Sequence, residues 1–207
     1  MRGMLMSLWL TAMCAAQPGQ KLDWSSRVAS DPALTGSERM RILVRNNFAS
    51  PAALFRSVIP AIAAEITNRP REWHRTAGGF GRRVGFNFAM FTAQDVIQAT
   101  SSAMLGRDPR YQRCDCKNVW GRTRQAFSGL VLSADSHGVR RFDPSNLMSS
   151  YASGYIGASL YPDRYSVAVK GTQLGHLQVS QVVIENLLIE FGPDIKRFLK
   201  RKILRRP

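Results

Sequence analysis

With 207 residues, 44% of them apolar and 21% charged, the chain has the length and the apolar content for one cored domain with extensions, which excludes a wholly disordered polymer. Its charge is one-sided, 29 Lys and Arg against 14 Asp and Glu, for a formal net charge of +15. That excess repels itself in a compact state and attracts anionic partners, whether nucleic acid, anionic lipid or glycan, unless it does no more than solvate the surface.

Residues 1–16 read as a signal peptide. Arg2 gives a positive start, Met4 to Ala15 an uncharged and mostly apolar run, and Cys14, Ala15 and Ala16 a small-residue end before Gln17 and Pro18. The run is short for a membrane span. Cleavage after Ala16 is the expectation, with lipidation at Cys14 the rival. Residues 17–35 hold Pro18, Gly19, Ser25, Ser26, Asp31 and Pro32 and read as a flexible mature N-terminus. From 36 to 207 one helical domain is expected.

A helix start is expected over Thr35 to Glu38, where Ser37 can cap and Glu38 favours the positive helix end, with Met40, Leu43, Val44 and Phe48 following at helical spacing. Pro51 opens a second, carrying Leu54, Phe55, Val58, Ile59 and Ile62, interrupted near Pro60 and stopping before Pro70. The third and longest runs from Ala77 to Leu105. Its small residues Gly81, Gly85, Ala89 and Ala93 lie four apart, a stripe along which another backbone can approach. Asp95 on this helix needs a partner, and an arginine is the natural one. Cys114 and Cys116 follow in a charged loop. A Cys-x-Cys disulfide would close a tight, strained and easily reduced ring, and without a second Cys/His pair they argue weakly for zinc, so two loop cysteines with no shared job is the favoured reading.

Val119 to Leu132 returns to helical spacing, and Ala134 to Pro144 reads as a polar turn. Beyond Ser145 the small residues come back in Ser150, Gly154 and Ala158, then in Gly171 and Gly175 on a helix from Tyr165 to Phe191. Pro193 opens a last helix, with Ile195, Phe198, Leu199 and Ile203 on one face and Lys196, Arg197, Lys200, Arg201 and Lys202 crowding the rest. The fold class expected is all-α, a compact bundle of five to seven helices packed through Gly/Ala/Ser stripes. The packing residues are Gly81, Gly85, Ala89, Ala93, Gly154, Ala158, Gly171 and Gly175.

Arg71 to Gly85, Asp108-Pro109-Arg110-Tyr111, Tyr161-Pro162 and Phe191-Gly192-Pro193-Asp194-Ile195-Lys196 have a recognisable order and spacing. Over residues 36 to 200 the chain resembles an uncharacterised family of exported, Gly-rich helical bacterial envelope proteins. It departs from them where His74, Arg75 and Thr76, rather than glycines, follow Trp73. The resemblance implies export and a helical fold, and no reaction or cofactor.

Chemistry finds little purchase. None of His74, His137 and His176 has a second ligand at metal spacing, and His176 and Glu185 are separated by roughly 13–14 Å of helical rise. Ser133, Asp135, Ser136 and His137 have the residue types of a hydrolase set, which turn composition explains equally well. Gly78-Gly79-Phe80-Gly81 lacks the Lys-Ser/Thr of a phosphate loop. No catalytic, cofactor or metal residues are therefore assigned. The expected function is that of a non-enzymatic protein of the periplasm or envelope periphery, acting by helix-mediated assembly, homo-oligomers included. Lys196, Arg197, Lys200, Arg201 and Lys202 would contact an anionic membrane surface or glycan, while export argues against nucleic acid. An integral helical assembly and an enzyme on cell-wall or lipid substrates are the alternatives.

Overall fold

In a computed structural model of the protein, residues 34–114, 116, 118–135 and 139–204 are described. The expected leader, the possible lipidation at Cys14, residues 17–33 and the turn at Ser136 and His137 lie outside them. The described chain holds six α-helices, one 3-10 turn and one short hairpin. The chain is mainly helical, and it divides into two compact units.

The first unit comprises Leu34–Leu105 and Ser145–Val179. Helix α1 (Gly36–Phe48) starts within the expected stretch 35–38, with Thr35 rather than Ser37 as its cap. The Thr35 hydroxyl accepts from the Glu38 N–H at 3.3 Å, while a Glu38 carboxylate oxygen accepts from the Thr35 N–H at 2.8 Å. This reciprocal box needs the Thr-x-x-Glu spacing that residues 35 and 38 supply. Helix α2 (Pro51–Thr67) passes through Pro60 without the expected break. Proline costs that turn one backbone bond, and packing along the next helix in the chain holds the flanking turns in line. A 3-10 turn (Arg71–Trp73) leads to α3 (Ala77–Met104), whose Thr76 cap accepts from the Gly79 N–H at 3.0 Å.

Helix α3 packs against α2 and against α5 (Ser145–Ser159). The apolar core is small: Met90, Ala158 and Leu174, with Phe86 and Tyr161 against it. Beside it, many of the buried groups are polar. Ser149, Ser150 and Ser153 are fully covered, and the Ser150 hydroxyl accepts from the buried Gln94 amide at 3.1 Å. Asp95 meets Arg56 through two bonds of 2.9 and 3.2 Å and accepts from the Asn47 amide at 3.2 Å. The Arg56 guanidinium also stacks over Phe91.

The small-residue stripes divide sharply. A methyl group at Gly154 would fall 2.5 Å from the Gly175 nitrogen and 2.7 Å from the Gly171 carbonyl oxygen, so α5 and the first turns of α6 (Val167–Leu204) run backbone to backbone. Tyr151 and Tyr155 lie over Gly175 and Gly171, and Ala158 is buried. Gly81 and Gly85 are exposed, and a methyl group at either would meet nothing within 4 Å. Ala89 and Ala93 are only half-buried. The proposed packing role of Gly81 and Gly85 is therefore corrected. The glycine of that region with a tight environment is Gly79, pressed against the Trp73 and His74 carbonyls.

The second unit takes in Gly106–Pro144 and α6 from Ser180 onward. Helix α4 (Val119–Ser128), capped by Asn118, ends four residues short of the expected Leu132. The chain turns at Gly129, where an added methyl group would fall 2.6 Å from the Tyr111 ring. It then forms β1 (Leu132–Ala134), antiparallel to β2 (Arg140–Phe142), with Leu132 opposite Phe142. Helix α6 continues through Pro193, so the expected separate last helix is the end of a 38-residue one.

Candidate anion-binding surfaces

Among the described residues, two places concentrate positive charge. The first is the end of α6. Lys196, Arg197, Lys200, Arg201 and Lys202 are all exposed. At 3.6 residues per turn, Phe198, Ile195 and Leu199 occupy about 100° of the helix circumference, and Lys196, Lys200, Arg197 and Arg201 face away from them. Phe198 is 64% exposed and Leu199 37%, so part of this apolar side is uncovered by protein.

What anchors this helix end is a buried carboxylate. Glu190 is fully covered. One of its oxygens accepts from the Tyr111 hydroxyl at 2.8 Å and from the Cys114 N–H at 2.7 Å, and the other faces Arg122 at 3.5 Å. Arg122 also pairs with Asp194 and stacks over Phe191. Burial, reinforced by the hydrogen bond and charge of Glu190, pushes the Tyr111 phenol well above its ordinary range, against opposing pulls from Arg140 and Arg113. Asp194 is held below the usual carboxylate range, chiefly by its hydrogen bond to Arg122. The Asp108-Pro109-Arg110-Tyr111 and Phe191-Gly192-Pro193-Asp194 segments thus serve one clamp. Cys114 and Cys116 beside it are joined as a disulfide, where unlinked cysteines were expected.

The second place is a cleft of about 270 Å³ in the first unit, lined by Arg69, Arg71, Tyr161, Arg164, Tyr165 and Lys170, with Pro70 and Gln173 completing it. Arg83, 1% exposed, does not line it but supports the segment that does. It donates to Glu65 at 2.7 Å and to the carbonyls of Arg69 at 3.2 Å, Pro70 at 3.2 Å and His74 at 2.9 Å, which fixes the 69–74 backbone. Trp73, Phe86 and Tyr161 pack edge-on or tilted at 5.1 to 5.6 Å between centroids behind it. Lys170 sits 4.5 Å above the Tyr161 ring and 5.7 Å from that of Tyr165. Burial, and then the charge of Arg69, lower the Lys170 pKa. Sequence reasoning missed this site. Its two halves, Arg69-Pro70-Arg71 and Arg164-Tyr165 with Lys170, are some ninety positions apart, and the only signal was basic residues interleaved with tyrosine around two prolines.

Among the described residues, those weighed for catalysis do not assemble. Ser133 donates to Asp143 at 2.7 Å, whereas Asp135 pairs with Arg141 at 2.8 Å. His176 lies edge-on to Tyr151, and His74 contributes its carbonyl to Arg83. Among the described residues no group of three His, Cys, Asp or Glu could hold a metal ion.

No protein-family model matches the chain, and no solved structure does. A stretch of 88 residues, 42% of the chain, is 26% identical to a calcium-dependent protein kinase 6 of Plasmodium berghei. The match spans 6% of that protein's length. The chain has no His-Arg-Asp, Asp-Phe-Gly or Ala-Pro-Glu, the triplets on which kinase phosphoryl transfer is built, and the likeness carries no activity across.

Proposed function

We propose that the protein is a non-enzymatic, exported component of the bacterial envelope that holds an anionic membrane surface or glycan through the end of α6. The observation that carries this reading is the exposed Phe198 and Leu199 beside five exposed cations on one helix end. An interfacial helix needs that combination, apolar side chains free to enter the headgroup boundary and basic side chains to meet the phosphates. Each Lys or Arg near an anionic surface contributes roughly 1 kcal/mol, and burying a phenylalanine adds about 2 kcal/mol, enough together for reversible peripheral binding. Changing Lys196, Arg197, Lys200, Arg201 and Lys202 together to Gln should abolish cosedimentation with anionic vesicles at low salt. Unchanged binding removes the proposal.

One observation favours the second reading, an integral assembly. No single helix among the described residues is long and apolar enough to cross a membrane, but α1 with Ala53–Thr67, bent by 41°, meets that test as a pair. The pair exposes Met40, Val44, Phe48, Leu54, Ile62 and Ile66.

A further inference from the structure

From the cleft we infer that the protein has a second binding site, separate in its residues from the end of α6, which takes a small phosphoryl ester: Arg69, Arg71, Arg164 and Lys170 hold the phosphoryl oxygens and Tyr161 and Tyr165 line the bed beneath them. Four cationic side chains share this small space. Of these four, only Arg164 has a carboxylate partner among the described residues, Glu72, while Arg69, Arg71 and Lys170 make no ion pair there. Like charges gathered around one cavity repel one another, and Lys170 is partly desolvated as well. A dianionic ligand relieves both costs at once, and it does so best with a group whose oxygens can accept from several guanidinium and ammonium donors together. Phosphate has that geometry and charge.

The position of the cations is built rather than incidental. Arg83 ties the carbonyls of Arg69, Pro70 and His74 to the body of α3, which holds the backbone bearing Arg69 and Arg71. Lys170 is held from below by the Tyr161 ring, and the Arg164 guanidinium by the Tyr165 ring at 4.8 Å. The volume, about 270 Å³, admits a phosphoryl group with roughly one small ring or a glycerol unit, at the lower edge of ordinary ligand pockets. The tyrosine faces and the Gln173 amide offer such a unit its apolar and polar contacts.

The test uses the full chain and two probes, glucose 1-phosphate in solution and phosphatidylcholine vesicles doped with phosphatidic acid, the latter on the chain with the five Gln substitutions at 196, 197, 200, 201 and 202. Titration calorimetry should show saturable binding of glucose 1-phosphate that the five-Gln chain retains. Lys170→Gln should weaken it roughly tenfold, as loss of one charge-assisted contact does. The same variant should raise Tm, because the desolvated charge is gone, which separates loss of the ligand contact from loss of the fold. Arg69→Gln should reproduce the weakening. Lys170-dependent binding of the soluble ester assigns a soluble ligand, and Lys170-dependent binding of the vesicles alone assigns a lipid headgroup. Both support the site. Binding of neither probe, or binding insensitive to Lys170→Gln and Arg69→Gln, overturns it. The envelope reading falls separately, by the vesicle test on the end of α6.

Discussion

Gly81 and Gly154 look alike in the sequence, each on a helix with a second small residue four positions on. They differ in what a side chain there would meet, and the two should respond to alanine with opposite signs. At Gly81 the added methyl enters open space and removes glycine's cost in a helix, so Gly81→Ala should stabilise the fold by up to about 1 kcal/mol. At Gly154 it meets backbone at 2.5 Å that has no rotamer to yield, and Gly154→Ala should destabilise by about 1–3 kcal/mol. The urea midpoints of the two variants check both. A four-residue stripe is legible in a sequence, whereas the presence of a partner along it is not: α3 turns its stripe at 81 and 85 outward and presents Arg83 and Met90 to its neighbours. Likewise Asp95 announced its need for an arginine, but only the fold selects Arg56.

Among the elements, boundaries were legible where local chemistry sets them and not where packing does. The span of α3, read as 77–105, is set by the Thr76 cap at one end and Gly106 beyond the other. The two prolines inside helices break the rule that stops a helix at proline, because each surrounding helix is long enough, or packed well enough, to absorb one missing bond. The strands of the hairpin were illegible, since three-residue strands lie below any periodic signal. The clamp that joins the 108–114 loop, α4 and α6 gives a pH dependence. Tyr111 keeps its proton in the folded chain beyond the pH at which the unfolded chain loses it, near 10. The folded state therefore binds more protons there, and its stability, full below about pH 10, falls as the pH rises further. Tyr111→Phe should lower stability at neutral pH by about 1 kcal/mol, through the donor lost to Glu190, and flatten the alkaline decline. Urea unfolding followed from neutral pH to about pH 11 measures both; an unchanged alkaline slope would refute the assignment. Tyr161, also raised by burial, leaves a residual slope.

For the molecule as a whole, the net charge of +15 sets the terms of association. A protein held by surface cations is released by salt and alkali, and one threaded through the bilayer is not. Alkaline carbonate should move it from the envelope pellet to the supernatant if α6 is the attachment, and its retention in the pellet would favour the bent α1–α2 pair instead. Charge excess and helix content were legible from composition and periodicity. The cleft was not, because it arises only when the 69–71 and 161–170 segments fold onto one another.

The aromatic stack behind that cleft has an optical consequence. The Trp73 ring lies 5.5 Å from Tyr161, which forms part of the cleft lining, so a charge arriving there changes the field across the indole. Trp120, by contrast, is 75% exposed and open to collisional quenchers. Titrating a phosphate ester should shift the tryptophan emission, and Trp73→Phe should erase the shift, so the chain carries a fluorophore already placed to register occupancy.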